Sequence, residues 1–177
     1  MSLGLLLTPG ASATRDHPSL VAIDRALTAD GVVVERIDLP SSRPGPKVLD
    51  TIRGAATALA ARAAGGVLLG GRSFGGRMCS VAVADGLPAA GLVLVSYPLH
   101  PPGRPDNARV EHLPRLHVPC LFVSGTRDAF ATPDELAAAT ATIPGPVTRV
   151  WIEGGDHGLR GKDAAVAAAV LGWVRGL

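Results

Sequence analysis

The seven residues Gly70-Gly71-Arg72-Ser73-Phe74-Gly75-Gly76 follow an apolar run, Val67-Leu68-Leu69, and precede a stretch with helical spacing. Gly71, Ser73 and Gly75 match G-x-S-x-G in the strand, turn and helix context in which that pattern presents a serine as nucleophile. The reason for the glycines is steric. A serine on a sharp strand-to-helix turn leaves no room for side chains two residues to either side, and the strained turn lifts Oγ above the sheet edge. The helix that follows turns its positive end towards the serine and any oxyanion formed there. In a chain with 22 glycines the pattern alone also reads as an ordinary glycine-rich turn. A phosphate-binding loop fits less well, because G-x-x-x-x-G-K-[ST] is absent and no G-x-G-x-x-G follows the first strand.

Working outward, short apolar runs at 3–8, 32–37, 67–69, 92–95, 121–123 and 147–151 suit strands buried on both faces of a parallel sheet. Helical spacing falls between them at 18–29, 47–64, 76–84, 133–142 and 162–175. Strand and helix alternate, which predicts an open six-stranded parallel sheet with helices on both faces in one domain spanning 1–177. Such a sheet carries its site at the C-terminal ends of its strands. The exception is the segment 96–119, rich in proline, for which at most a short helix around 107–112 is expected. It is too short for a folded cap domain and implies an open, shallow pocket.

An activated serine needs a base, and the base needs an orienting carboxylate. Both follow Ser73 in the expected chain order. Residues 121–128, Leu-Phe-Val-Ser-Gly-Thr-Arg-Asp, read as a strand running into a turn that carries Asp128. Residues 151–158, Trp-Ile-Glu-Gly-Gly-Asp-His-Gly, read as the next strand leaving through a glycine-rich loop that can return His157 over Ser73. Asp156 reads as a turn residue bonding nearby backbone. His17 opens a helix, His100, His112 and His117 lie in or beside the proline-rich segment, and none has metal-ligand spacing.

Acyl transfer also requires two N–H groups for the oxyanion. Phe74, next to the nucleophile, offers one. The loop after the first strand, Thr8-Pro9-Gly10-Ala11-Ser12-Ala13, offers the other, and since Pro9 cannot donate, Ala11 is the expected donor. Gly10, Arg72 and Tyr97 are candidates for substrate contact. Arg15, Arg72, Arg77 and Arg127 lie near the same loops, where they read either as anion recognition or as ordinary ion pairs.

Composition narrows the classes. A hydrophobic share of 47% against 18% charged residues belongs to a folded chain. With 3% aromatics and a net charge of +2, neither a base-stacking surface nor an electrostatic attraction to nucleic acid or anionic membrane is expected. The apolar stretch 3–7 is too short for a signal peptide or a membrane span, which gives a cytoplasmic reading. Cys79 and Cys120 suit small buried hydrophobes and no disulfide framework or metal site. No cofactor is called for.

Gly-Arg-Ser-Phe-Gly-Gly-Arg-Met at 71–78, Tyr-Pro-Leu-His-Pro-Pro-Gly at 97–103, Gly-Thr-Arg-Asp at 125–128 and Gly-Gly-Asp-His at 154–157 together resemble a known group. They are similar to the small bacterial α/β-hydrolase proteins related to Tex30- and KANL3-like domains, and more distantly to dienelactone hydrolases. The resemblance implies a minimal α/β-hydrolase fold with Ser73 as nucleophile, Asp128 as acid and His157 as base. Two departures stand out: Pro9 occupies the place where hydrolases commonly carry a histidine before glycine, and the chain starts at what would be the third strand of a full sheet. The second departure leaves room for a dimer contact at the sheet edge. The expected activity is hydrolysis of a small ester, thioester or related acyl substrate, and the alternative class is a non-catalytic interaction module on the same fold.

Overall fold

The computed structural model describes residues 2–177. Six strands form one sheet: β1 (Gly4–Thr8), β2 (Val33–Arg36), β3 (Val67–Arg72), β4 (Gly91–Val95), β5 (Cys120–Gly125) and β6 (Val147–Ile152). Their order is β2-β1-β3-β4-β5-β6, and every neighbouring pair is parallel. The helices are α1 (Pro18–Ala29), α2 (Pro46–Ala60), α3 (Phe74–Ala84), α4 (Pro133–Thr140) and α5 (Asp163–Val174). This is the expected minimal α/β-hydrolase fold, and among the described residues no domain is inserted above the sheet.

The near-continuous apolar runs of β1, β3, β4 and β5 follow from burial on both faces. In β1, Leu6 faces one core with Ile52 and Leu59 of α2 and Met78 of α3. Its neighbours Leu5 and Leu7 face the other core with Leu20, Ile23 and Leu27 of α1 and Val166 and Val170 of α5. Full burial of each such leucine contributes roughly 1.5–3 kcal/mol before entropy is counted. Thr132 and Glu135 form a reciprocal capping box ahead of Pro133, and Asp163 occupies the first turn of α5.

The proline-rich connection between β4 and β5 departs from expectation. Instead of one short helix at 107–112 there are two single 3₁₀ turns, Pro105–Asn107 and Leu113–Arg115. The cause lies in hydrogen bonding across the loop: the Arg109 amide donates to Leu99 O at 2.8 Å, so the backbone is drawn to a distant segment and not to a helical turn.

The chain passes from β1 to β2 on one side of the sheet and returns to β3 on the other side of β1, which makes the β1/β3 boundary a topological switch point. Loops leaving β1 and β3 diverge there and open a crevice at the strands' C-terminal ends. Ser73 follows β3 directly, and Gly10 and Ala11 follow β1. The described residues contain no helix long and apolar enough to cross a membrane.

Candidate active site

Ser73 has φ 49° and ψ −119°, a conformation costing a non-glycine residue about 1–3 kcal/mol. Hydrogen bonds on both sides hold it: Ser73 N–H donates to Val95 O at 2.8 Å, and Ser73 O accepts from Arg77 N–H at 3.0 Å. The flanking glycines are explained by β1. A Cβ on Gly71 would lie 2.1 Å from Thr8 O, and one on Gly75 would lie 2.4 Å from Pro9 O. The elbow is therefore pressed against the end of the first strand, which no local reading of the motif reveals.

Ser73 Oγ lies 2.8 Å from His157 Nε2, and His157 Nδ1 lies 2.9 Å and 3.0 Å from the two carboxylate oxygens of Asp128. With Nδ1–H donating to the carboxylate, Nε2 is left to accept from the serine hydroxyl. Asp128 is 1% exposed, and its Oδ1 also accepts from the Phe130 amide at 2.8 Å. The loop beneath His157 is set by close packing, since Gly125 and Gly155 touch so tightly that a Cβ on Gly125 would meet Gly155 O at 2.1 Å. Asp156 accepts from the Gly158 and Leu159 amides at 2.9 and 3.0 Å and stays out of the site, as its turn reading predicts.

Ser73, Ala11 and Phe74 line one open cavity of about 160 Å³, together with Arg77, Arg109 and Phe130. Among the described residues the Ala11 and Phe74 amides have no backbone acceptor, so both are available at the cavity. Gly10 sits beside Ser73, where a Cβ would lie 3.5 Å from Ser73 Cβ and 3.2 Å from the Arg72 guanidinium.

Two of the residues singled out for substrate contact lie elsewhere. Tyr97 is fully buried, its hydroxyl 3.0 Å from Ser80 Oγ and 2.9 Å from His112 Nε2. It belongs to the polar core beneath the site because the turn after β4 points its side chain inward. Arg72 turns away from the Ser73 cavity and donates from Nη2 to His157 O at 2.6 Å, lining a separate cavity with His17 and Asp163. Sequence reasoning did not single out Phe130 or Arg109. Phe130 stacks on the His157 ring with centroids 3.9 Å apart. Its position two residues after Asp128 is the only signal available in the sequence.

The description "Alpha/beta hydrolase domain" belongs to a family model that matches residues 2–167. The chain belongs to the alpha/beta hydrolase domain family. Solved structures similar to this hydrolase domain include an alpha-beta serine hydrolase homologue from Coxiella burnetii, 19% identical over 99% of this chain and 85% of that one, with a TM-score of 0.77. Est1E from Butyrivibrio proteoclasticus is 17% identical over 99% of this hydrolase domain and 88% of its own chain, at a TM-score of 0.81. The esterase domain of a Rhodothermus marinus protein is 18% identical over 98% and 86%, at 0.75. At these identities the structural likeness speaks for the fold.

Proposed function

We propose that this hydrolase-family domain is a serine hydrolase that cleaves a small ester, thioester or related acyl compound through an acyl-enzyme. The observation carrying this reading is the continuous chain Ser73 Oγ, His157 Nε2, His157 Nδ1 and Asp128, with both links at 2.8–3.0 Å. Ser73 Oγ attacks the acyl carbon while its proton passes to His157 Nε2. Asp128, whose Oδ1 also accepts from the Phe130 amide, steadies the imidazolium. The tetrahedral oxyanion accepts from the Ala11 and Phe74 amides, with the N-terminus of α3 behind the latter. Collapse breaks the bond to the leaving alcohol or thiol, which takes the proton from His157. Water then attacks the acyl-enzyme, His157 takes its proton, and the carboxylic acid leaves as Ser73 regains its hydroxyl hydrogen.

A fluorophosphonate probe combined with an ester panel tests this. The wild-type protein should be labelled at Ser73 and turn over short esters, and Ser73→Ala should abolish both. Ser73→Ala and His157→Ala should each lower kcat by roughly 10⁴ or more and be no worse in combination, because the members act as one unit. Equal labelling of His157→Ala, or no turnover above the Ser73→Ala background, would favour a binding module instead.

A further inference from the structure

The cavity above Ser73 holds two cations that the protein leaves without a counterion. Arg77 lies on α3 one turn beyond the nucleophile and is 7% exposed. Arg109 reaches the same cavity from the β4–β5 connection, held there by its amide bond to Leu99 O. Among the described residues neither guanidinium forms a salt bridge or donates a side-chain hydrogen bond, and the Nε of each is buried without a partner. Glu111, whose charge acts on Arg77, forms no ion pair with it. Half-buried Arg36 and exposed Arg115 and Arg175, by contrast, each pair with an aspartate.

A guanidinium stays charged when buried, and a buried charge without hydrogen bonds is costly. Here the half-buried Arg109 also repels the buried Arg77. Burial first and the neighbouring Arg109 second push the Arg77 pKa down. The native arrangement is therefore relieved by an anion entering the cavity, and the planar fork of arginine matches the two oxygens of a carboxylate. The cavity of about 160 Å³ suits a short chain between the arginines and Ser73.

We propose that Arg77 and Arg109 form an anion subsite beside Ser73 that selects esters whose acyl part ends in a carboxylate a few carbons from the scissile carbonyl. This rests on the serine hydrolase reading for its chemistry, though the binding of the anion does not. The paired guanidiniums hold the carboxylate, and the acyl carbon is thereby placed over Ser73 Oγ.

Two measurements separate the site from the reaction. In the first, glutarate is titrated calorimetrically into Ser73→Ala protein, with and without Arg77→Gln or Arg109→Gln. Each added substitution should weaken binding about tenfold or more, the scale of one lost charge-assisted hydrogen bond. In the second, the ratio of kcat/KM for monomethyl glutarate over dimethyl glutarate is compared between wild type and the two glutamine variants. It should be about ten or more in wild type and fall towards one in either variant, with Arg77→Lys intermediate because it keeps charge but loses the fork. Arg109 sits on a loop, so Arg109→Gln decides alone if Arg77→Gln does not fold. Absence of glutarate binding at millimolar concentration, or a ratio indifferent to both arginines, overturns the subsite. Glutarate binding that depends on the arginines, with neither ester hydrolysed, upholds the subsite and removes the hydrolase reading.

Discussion

The guanidinium of Arg72 donates a hydrogen bond of 2.6 Å to the backbone carbonyl of His157, joining the residue before the elbow serine to the residue whose ring meets that serine. The contact ties the end of β3 to the loop after β6. On the proposed hydrolase reading Arg72 is a positioning residue. Arg72→Met should lower kcat by roughly tenfold with little change in KM, since misplacement of a catalytic group by a fraction of an ångström acts on the chemical step. Steady-state kinetics on a short neutral ester checks this. A fall in melting temperature with kcat intact would make the contact purely structural.

The elbow glycines Gly71 and Gly75 should respond to alanine in the opposite direction from Gly54 of α2. Gly71→Ala and Gly75→Ala would drive Cβ to 2.1 and 2.4 Å from backbone oxygens of β1 and its loop, which cannot yield without displacing the strand. Each should cost several kcal/mol or prevent folding. Gly54 in α2 meets nothing within 4 Å. Gly54→Ala should stabilise by about 0.5–1 kcal/mol through helix propensity and chain entropy, read as a higher denaturant midpoint at unchanged slope.

Stability should rise with pH between about 4 and 6.5 because of His112. Burial pushes its pKa down from 6.5 to about 4, with the Arg77 charge adding to the effect. Its ring is 2.8 Å from Ser80 Oγ and 2.9 Å from Tyr97 Oη. The folded state keeps the ring neutral where the unfolded chain binds a proton, so the unfolded state holds more protons throughout that window. The contribution is complete above pH 6.5 and is lost as pH falls towards 4, amounting to about 2 kcal/mol after discounting for solvent access. Chemical denaturation at pH 7 and pH 4.5 measures it. In His112→Gln the difference between the two pH values should shrink by most of that amount.

Cys79 and Cys120 should be silent towards thiol reagents in the native protein. Both are buried, and burial pushes each thiol up to about 12, so almost no thiolate exists at neutral pH. A chromogenic disulfide reagent should titrate no thiol until the protein is unfolded. Replacing both by alanine should leave ester turnover within a few-fold while lowering stability by the lost buried volume. Fast native labelling of either cysteine would contradict this.

Local pattern determined much of this protein. The alternation of short apolar runs with helical spacing dictates six parallel strands, because a strand covered on both faces must be apolar throughout and a parallel neighbour requires a crossover helix. G-x-S-x-G and the two loop residues Asp128 and His157 were legible for a similar reason: each lies immediately after an apolar run, and the sheet brings every such position to one edge. The tertiary structure alone decided which polar side chains reach the cavity. Arg72 and Arg77 are five residues apart on one elbow, yet Arg72 goes to the His157 backbone while Arg77 faces Ser73, because the first ends a strand and the second lies one turn into a helix. Tyr97 and Arg109 share a proline-rich connection without periodicity, and only its long-range bonds, Leu99 N–H to Phe130 O and Arg109 N–H to Leu99 O, turn the tyrosine into the core and the arginine to the site. A segment without a repeat carries no facing information in its sequence, since its direction is set by partners far along the chain.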